Sequence, residues 1–338
     1  MKPIQLDGIS GGGQMLRTAL SLAMVTGQPF RMTNIRGKRS RPGLMRQHLT
    51  CVKAACEISG GTADGAEIGS TELVFRAGKI RGGSYEFAIG TAGSTTLLFQ
   101  TLLPALWTAD QPSTLRLEGG THNPLAPPFD FIERVFLHSL AKLGPRAEVS
   151  LESAGFAPAG GGVFHATVHP CEKLLPFELM TRAEEGKSRI RVLYRHLPLA
   201  IAGRMLDAAL EVLPCKDAAV ESREPGAGMG ICCLVESDFG EAREMTSTFG
   251  EKGRTAEQIG HHAAKSMNNY LGAGVPIGRH LADQLLLPMA LAGEGRFATM
   301  SLDQHVPTNV SVIEKFLDVK FDIREEERGR KVVEVVRR

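Results

Sequence analysis

The sequence predicts a mixed α/β (α+β) fold that is built from copies of one unit and carries a smaller inserted α/β domain. Three observations lead to this prediction. Apolar segments with the helical period alternate with short strand-like segments. The same order of these signals occurs three times, which is typical of an internal repeat. The copies are unequally spaced, so extra sequence must lie between two of them.

The first copy begins with an apolar helical pattern that ends at a Gly-Gln-Pro turn, because glycine and proline interrupt helices. A strand-like segment, a polar loop and an amphipathic segment follow. In chain order the segments are helix 14–26, turn 27–29, strand 30–35, loop 36–42 and helix 43–59. Further strand-like sequence covers 62–77.

The other two copies keep the same order of segments. The second has helix 94–109, turn 110–112, strand 113–118, loop 119–128 and helix 129–143. The third, which is shorter, has helix 281–292, turn 293–295, strand 296–301, loop 302–307 and helix 308–317. Strand pairs are predicted at 147–168 and 319–336. In every copy a polar loop leads into the second helix, where unpaired backbone N–H groups favour anions.

The distances between the turns locate the insert. Pro29 and Pro112 are 83 residues apart, whereas Pro112 and Gly295 are 183 residues apart, and the additional stretch has strand and helix patterns of its own. We therefore predict a three-copy core at 1–179 and 272–338 and an inserted small α/β domain at 180–271. A long decorated connection within one core is the alternative.

The loop of the first copy is strongly basic. From Arg36 to His48 the chain has five lysine or arginine residues and no acidic one, although its net charge is only +2. The basic character is therefore local, which suits a site for a few phosphates better than a surface that covers a long duplex. Arginine can hold phosphate oxygens in a bidentate fork, and Gln47 and His48 add neutral donors. A solvated charged loop is the alternative.

Two more loops are candidates for chemistry. The Gly11-Gly12-Gly13 turn precedes a helix with Arg17, and such a turn frees backbone N–H groups for an anion. It matches neither the G-x-x-x-x-G-K-[ST] phosphate loop nor the G-x-G-x-x-G dinucleotide turn, which argues against those two nucleotide folds. The loop of the third copy contains His305, although a lone histidine there is ordinarily just a hydrogen-bonded loop residue.

The composition predicts a cytoplasmic protein that is not associated with a membrane. No apolar stretch of signal-peptide length begins the chain, and the longest apolar run, about residues 97–109, contains Gln100 and is too short to span a bilayer. The six cysteines form no C-x-x-C pair, so we expect reduced thiols.

Several sequence blocks, in the right order, resemble the RNA 3′-terminal phosphate cyclase family. They cover both ends of the chain and are sparsest in the predicted insert. The blocks are GGGQMLR at 11–17, RPGLMRQHL at 41–49, Gly93-Ser94, Gln100-Thr101, LPALW at 103–107, APP at 126–128, Asp130-Phe131, PAGGG at 158–162, LADQL at 281–285, PMALAG at 288–293, and His305 with Thr308-Asn309.

The resemblance implies both a fold and a reaction. The fold has three repeated units, each with two helices on a four-stranded sheet, and an inserted smaller domain. In the reaction a histidine attacks the α-phosphorus of ATP, AMP passes to an RNA 3′-phosphate, and the neighbouring 2′-hydroxyl displaces AMP to leave a 2′,3′-cyclic phosphodiester. The resemblance places the nucleophile at His305, and neutral imidazole suits this role near pH 7.

Binding residues are implied in the same way. The candidates for the ATP site are Gln100, Pro127, Phe131, His280, Leu281, Ala282, Asp283 and Gln284. The candidates for RNA or ATP phosphates are Arg17, Arg36, Arg39, Gln47 and His48. Each could instead have a core or capping role, and this alternative is strongest for Asp283, a carboxylate near a helix N-terminus.

The chain departs from the family pattern at two positions. The family usually has an acidic residue just before the glycine turn, where this chain has Ser10 in a shorter loop. Asp7 is the candidate substitute as a ligand of the divalent cation, Mg²⁺ or Mn²⁺; otherwise ATP phosphates and water hold the metal. His280 stands where relatives tend to have a tyrosine that suits stacking on adenine, and imidazole can still stack.

Two other functions fit parts of the pattern. A non-catalytic cyclase-like RNA-binding protein of ribosome assembly would lack the nucleophile, so His305 argues against it. An enolpyruvyl-type transferase would share the repeated unit in a different arrangement, and failure to bind RNA ends would favour it. The predicted partners are RNA 3′-phosphate ends, and if the protein forms an oligomer we expect a homodimer.

Overall fold

The structure, a computed structural model, describes the backbone of residues 1–338 and every side chain except that of Arg328. It is a mixed α/β fold in which helices pack on several mixed sheets. Among the helices that it describes, none has the length and apolar character needed to cross a lipid bilayer.

The strands, in chain order, are β1 (Ile4–Asp7), β2 (Phe30–Thr33), β3 (Thr62–Asp64), β4 (Leu73–Arg76), β5 (Ser84–Ala88), β6 (Ser113–Gly119), β7 (Ala147–Gly155), β8 (Gly162–Val168), β9 (Phe177–Leu179), β10 (Lys187–Arg195), β11 (Asp217–Ser222), β12 (Gly226–Ala227), β13 (Gly230–Asp238), β14 (Arg243–Phe249), β15 (Gly295–Thr299), β16 (Val319–Glu325) and β17 (Lys331–Arg337). The helices are α1 (Gly13–Thr26), α2 (Arg46–Ser59), α3 (Thr95–Leu106), α4 (Phe129–Phe131), α5 (Leu137–Ala141), α6 (Leu199–Val212), α7 (Ala256–Ala273), α8 (Arg279–Ala292) and α9 (Val306–Phe316). A π-helical segment, Ile132–Phe136, joins α4 to α5.

Three sheets share one order of strands. Their orders are β1-β2-β4-β3, then β5-β6-β8-β7 with β12 added at the β7 edge, then β9-β15-β17-β16. In each, the first two strands pair in parallel and the other pairs among these four strands are antiparallel. The parallel pairs require a crossover, which α1, α3 and, after a long excursion, α8 provide.

The excursion forms a fourth sheet. After β9 the chain builds the sheet β11-β10-β13-β14, with α6 and α7 packed together against it, and then returns through α8 to β15. Strand β9 pairs in parallel with β15, so the chain leaves and re-enters the third sheet at neighbouring strands.

Helix α1 lies at the centre of the helical layer. It contacts α2, α3 and α9, and its residues from Met15 to Met24 are almost all buried. Apolar residues on every face of this helix are therefore covered by protein. The buried hydroxyl of Ser21 donates to the carbonyl oxygen of Thr101 on α3 at 2.7 Å, which satisfies a polar group inside the layer.

One predicted helix begins later than expected. The helical pattern was expected to start at Gly43, but α2 starts at Arg46. Gly43 has φ +81°, and a side chain there would begin 2.3 Å from the carbonyl oxygen of Gly69. The glycine therefore belongs to a tight turn that a helical residue could not replace.

Candidate active site

Side-chain hydrogen bonds join helices from all three of the similar sheets at one place. Gln14 of α1 donates to Asp283 of α8. Gln100 of α3 donates to Gln284 of α8 at 2.5 Å. These contacts bring polar residues of the three helices together. They define the cleft, by which we mean the region bordered by Gln14, Arg17, His48, Gln100, Asp283, Gln284 and His305.

His305 lies where α9 begins. Its carbonyl oxygen accepts from the backbone N–H of Asn309 at 2.9 Å, and its own backbone N–H donates to Oδ1 of Asp303 at 3.0 Å. The imidazole Nε2 is 3.9 Å from the same carboxylate oxygen, and the other oxygen accepts from Arg279 at 3.1 Å. The side chain of His305 is 35% exposed, so a ligand can reach the ring.

The Asp303 carboxylate remains ionised beside this imidazole. Burial acts to raise its pKa, but the backbone N–H of His305 and the positive charge of Arg279 act the other way, so the pKa of Asp303 is lowered. An anion fixed in this position can hold the start of α9 through the backbone N–H of His305.

Asn309 connects α9 to α1 and α8. Its Oδ1 accepts from the Thr18 hydroxyl of α1 at 2.7 Å, and its Nδ2 lies 3.5 Å from Asp283 of α8. Asn309 and Thr18 are both buried. The first turn of α9, and with it His305, is therefore fixed relative to Asp283.

Asp283 is in the second turn of α8 and does not cap the helix, whose N-cap is Gly278 without a side-chain cap. Burial raises the pKa of its carboxyl group, and the nearby charge of Asp303 adds to this effect. Hydrogen bonds from Gln14 and Asn309 and the proximity of His305 oppose it. The carboxylate thus faces the cleft, where its neighbours are mainly donors.

The glycine turn before α1 packs directly on α2. A side chain on Gly13 would begin 2.2 Å from Nε2 of His48 and 2.9 Å from Nη1 of Arg17. Only a residue without a side chain permits this approach. The first turns of α1 and α2 contain no acidic residue, so the two helix N-termini form an electropositive corner.

Arg17 supplies a charge at this corner. Burial lowers the pKa of its guanidinium, and the proximity of Asp283 opposes the shift. Among the side chains that the structure describes, none pairs with Arg17 in an ion pair and no hydrogen-bond acceptor for its guanidinium is found. A partly buried arginine with unused donors is suited to binding an anionic ligand.

His48 is a neutral donor at the same corner. Burial, followed by the charges of Arg17 and Arg36, lowers the pKa of His48 to about 3. Its Nδ1 accepts from the backbone N–H of Met45 at 3.1 Å, so the proton of the neutral ring is on Nε2, which faces Gly13. Near neutral pH this residue can therefore donate a hydrogen bond without bringing a charge.

Gln47 and the two loop arginines surround the corner in different ways. The Oε1 of Gln47 accepts from the backbone N–H of Ser94 at 2.9 Å, which leaves its amide donors available. Arg36 donates to the carbonyl oxygens of Arg41 and Gly43 at 2.7 and 2.9 Å, and so holds the shape of its own loop. Arg39 is exposed.

The remaining predicted ATP residues differ in their access. His280 is exposed on α8. Leu281 and Ala282 are fully buried, so their side chains pack in the core and only their backbone could meet a ligand. Pro127 is half-buried, with its carbonyl oxygen accepting from Thr96 at 2.7 Å. The ring of Phe131 is 3% exposed and belongs to the apolar core.

The chain does not assemble a metal site from its own side chains in the part that the structure describes, since no group of three or more His, Cys, Asp or Glu residues is placed to hold an ion. The Oδ1 of Asp7 accepts from Asn34 and from the backbone N–H of Ile9, both at 3.0 Å. These hydrogen bonds, with the charge of Lys315, lower the pKa of Asp7. Asp7, the last residue of β1, is thus ionised and has one oxygen unused.

Three residues beside the cleft escaped prediction. No sequence pattern assigns a role to Thr18, Arg279 or Asp303, because each acts through a contact with a distant or neighbouring group. Thr18 carries the clearest signal, since it lies one helical turn after Gln14 and therefore on the same face of α1.

The family model and the curated relatives that match this chain carry the same description. The family model described as RNA 3′-terminal phosphate cyclase matches residues 9–323. A protein of Ectopseudomonas mendocina named RNA 3′-terminal phosphate cyclase is 48% identical over 320 residues, which is 94% of this chain and 94% of the relative. One of the same name from Ralstonia nicotianae is 46% identical over 326 residues, which is 96% of this chain and 94% of the relative. Among solved structures, the enolpyruvyl transferase NikO from Streptomyces tendae covers 98% of this chain and 48% of its own with 12% identity, and its TM-score of 0.38 is too low to bear on the fold.

Proposed function

The chain belongs to the RNA 3′-terminal phosphate cyclase family, and from this premise we propose that it forms its product through a covalent intermediate on His305. The enzyme is of the ligase type, uses ATP and acts on RNA that ends in a 3′-phosphate. Its product is an RNA end that carries a 2′,3′-cyclic phosphodiester.

The reaction needs ATP because a phosphate monoester has no good leaving group and its negative charge repels a nucleophile. In the first step a nitrogen of His305 bonds to the α-phosphorus of ATP and diphosphate leaves. In the second step an oxygen of the RNA 3′-phosphate attacks the same phosphorus, and the histidine leaves. In the third step the 2′-hydroxyl attacks the 3′-phosphorus, loses its proton and displaces AMP.

One observation carries the proposal: His305 begins α9, and the next turn of that helix is joined through Asn309 to Asp283. A nucleophile at this point lies beside the part of α8 that resembles the family's ATP segment. Asp303 supports the role, because an adjacent anion stabilises the positive charge that the ring acquires when phosphorus bonds to it. Arg279 pairs with Asp303 and limits repulsion of the incoming phosphates.

The basic side of the cleft is assigned to phosphates. Arg17 and His48 offer donors at the helix N-termini, Gln47 adds an amide, and Arg39 approaches from the glycine turn, with its Nη2 3.2 Å from where a side chain on Gly12 would begin. Each well-placed donor can stabilise developing phosphoryl charge by about 3 kcal/mol. Arg36 contributes mainly by shaping the loop that presents Arg39.

The nucleotide is assigned to the α3 and α8 side. Gln100, Asp283 and Gln284 supply side-chain hydrogen-bond groups there, whereas Leu281 and Ala282 supply backbone. His280 and Pro127 are accessible enough to lie along the adenine. Phe131 lies in the apolar core, so its role would be to pack behind the residues that contact the nucleotide.

A divalent cation, Mg²⁺ or Mn²⁺, accompanies ATP in this proposal. The described side chains lack a preformed cluster for it, and Asp7 offers a single unused carboxylate oxygen. This donor set does not fit a metal held by protein alone, so we assign the ion to the ATP phosphates and water. None of the three reaction steps is assigned to this ion.

We also propose that the three similar sheets are three copies of one unit of two helices on four strands. Their common strand order supports this, and β12 is then an addition from the insert. The core would be 1–179 and 272–338, and the insert 180–271. A cytoplasmic location accords with six free cysteines.

The covalent step can be tested by incubating the protein with ATP labelled at the α-phosphorus and measuring acid-labile label on the chain. We expect labelling of the wild type, none in His305→Ala, and normal labelling in a control, His262→Ala, whose ring is exposed on α7. If the wild type remains unlabelled with either metal present, or if His305→Ala is labelled, the covalent assignment is wrong.

A further inference from the structure

Cations are distributed unevenly between the first sheet and its basic loop. Arg31 and Arg76, on strands of the sheet, pair with Glu72 and Asp64 at 2.7 and 2.8 Å. In the loop, by contrast, none of the lysine and arginine residues forms an ion pair with the described part of the chain. These residues are Arg36, Lys38, Arg39, Arg41 and Arg46. Uncompensated charge of one sign is costly to gather, so its concentration here suggests an anionic partner.

Hydrogen bonds support the backbone of this loop, so the backbone positions that carry its charges are fixed. The N–H of Lys38 donates to the carbonyl oxygen of Ile9 at 3.2 Å, and that of Gly43 donates to Ile35 at 2.8 Å. Arg36, with φ +56°, braces the loop from inside through two carbonyl oxygens. A loop that served only solubility would not need this bracing.

The donors at this corner and in the loop lie at different depths. Arg17 and His48 are the innermost donors, at Gly13, and Arg39 comes next, beside Gly12. Lys38, Arg41 and Arg46 are exposed, and no side-chain hydrogen bond of theirs to the described residues is found. The inner donors suffice for the reacting phosphates, which leaves these three residues without a partner in the chemistry.

RNA itself supplies further phosphates in a row that starts at the reacting end. We propose that Lys38, Arg41 and Arg46 bind the internucleotide phosphates of the single-stranded RNA that leads to the 3′-phosphate, an inference that rests on the proposed function. The loop from Arg36 to Arg46 contains no aromatic residue on which a base could stack. Binding therefore reads the backbone without preference for base sequence, and it gains strength with the length of the RNA.

The test uses a variant in which Lys38, Arg41 and Arg46 are all replaced by glutamine. The matched control replaces Lys216, Lys252 and Lys265 by glutamine, because these exposed lysines of the insert have no ion pair with the described side chains and their loss changes net charge equally. Binding of a 5′-labelled RNA decanucleotide with a 3′-phosphate is followed by fluorescence anisotropy from 50 to 200 mM salt, and cyclisation KM is measured for a dinucleotide and the decanucleotide.

For the loop variant we expect decanucleotide affinity to fall by on the order of 100-fold at 0.1 M salt, with the slope of log affinity against log salt reduced by about 2. Dinucleotide KM and self-adenylation without RNA should change by less than about twofold, because a dinucleotide has a single internucleotide phosphate, self-adenylation involves none, and exposed charges are screened by salt. Oligo-A and oligo-U should lose affinity equally.

The proposal is overturned if the loop variant binds the decanucleotide like wild type, or if the control variant loses as much affinity. It is also overturned if dinucleotide KM rises as strongly as decanucleotide KM, since the charges would then act at the RNA end itself. Failure of the proposed covalent chemistry has a different signature, namely loss of self-adenylation in the wild type while length-dependent RNA binding is still measured.

Discussion

At the scale of single residues, the corner at Gly13 depends on the absence of a side chain. Gly13→Ala places a methyl group 2.2 Å from Nε2 of His48 and 2.9 Å from Nη1 of Arg17, so both donors must move. Overpacking of this kind costs about 1–3 kcal/mol. A free-energy loss of this size corresponds to a roughly 10- to 100-fold change in a rate or an equilibrium constant, so we expect self-adenylation or RNA affinity to fall by that factor.

The matched control for this change is Gly203→Ala, in α6, where a methyl group would meet nothing within 4 Å. That variant should keep full activity and gain a little stability, because alanine is the better helix former. Equal losses of activity in the two variants would mean that the corner at Gly13 has no special role.

The burial of Glu244 predicts that the stability of the protein depends on pH. It is buried in β14, and its two oxygens accept from the backbone N–H of Gly278 at 2.7 Å and of Met245 at 3.0 Å. Burial raises its pKa from 4.5 to about 7. Between these values the folded state holds a proton that the unfolded state has lost, so the free energy of unfolding falls as pH rises, by up to about 3 kcal/mol.

Urea unfolding at several pH values measures this effect. Glu244→Gln should remove most of the decline between about pH 5 and pH 7, although it costs about 1–2 kcal/mol at low pH because its NH₂ group opposes a backbone donor. Glu172→Gln, at an exposed residue without an ion pair to the described side chains, should keep the wild-type pH dependence. An unchanged decline in Glu244→Gln would refute the assignment.

At the scale of elements, an ion cluster attaches the fourth sheet to the π-helical segment between α4 and α5. Arg134 of the π-helical segment donates twice to Glu236 of β13, at 2.6 and 3.0 Å, and Arg189 of β10 donates at 3.0 Å. Burial raises the pKa of Glu236, and the arginine Arg134 opposes this. Bidentate geometry and low exposure make the pair stronger than an ordinary surface ion pair.

A double-mutant cycle with Arg134→Met and Glu236→Gln should give a coupling energy of about 1–3 kcal/mol in chemical unfolding. The exposed pair of Arg324 and Asp322, at 3.0 Å, is the matched control and should couple by less than about 1 kcal/mol. Similar values for the two pairs would show that the cluster does not secure the fourth sheet.

Sequence patterns located most helices but not the strands that open the three similar sheets. The helical period of α1, α3 and α8 is sustained over several turns, which makes it easy to recognise. Strands β1, β5 and β9 have three to five residues each, too few for an alternation to stand out. Their place at a sheet edge depends on parallel pairing with a distant strand, which no local pattern encodes.

The candidate site was predictable in part, and for a related reason. The residue composition of the basic loop and of the glycine turn predicts anion binding. Asp283 and His305, in contrast, could be assigned only through the family resemblance. The link from Asn309 to Thr18 joins residues 291 positions apart, so it exists only in the folded chain. The hydrophobic period of the sequence identifies each helix, but it does not show which other helices pack against it.

At the scale of the whole molecule, the six cysteines divide into two classes. Cys51, Cys232 and Cys233 are buried, and burial raises the pKa of Cys51 to about 11 and that of Cys233 to about 12. The other three, Cys56, Cys171 and Cys215, are partly exposed. The thiolate is the reactive form of cysteine. Burial therefore protects the first class in two ways, because it blocks access of a reagent and because it keeps the thiol protonated.

An aromatic disulfide reagent at pH 8 should therefore modify no more than the three partly exposed cysteines of the native protein and all six after unfolding in urea. Mass spectrometry of peptides identifies the sites. Rapid native modification of Cys51 or Cys233 would contradict the packing described for α2 and β13.

The hydrogen bonds across the cleft have a consequence for turnover. Gln14 is paired with Asp283, and Gln100 with Gln284. On the proposed assignment, an arriving nucleotide exchanges these internal partners for its own, so little enthalpy is gained by entry. When AMP leaves, the same side chains can hydrogen-bond to one another again. No polar group is then left without a partner, so release of the product has a low energetic cost.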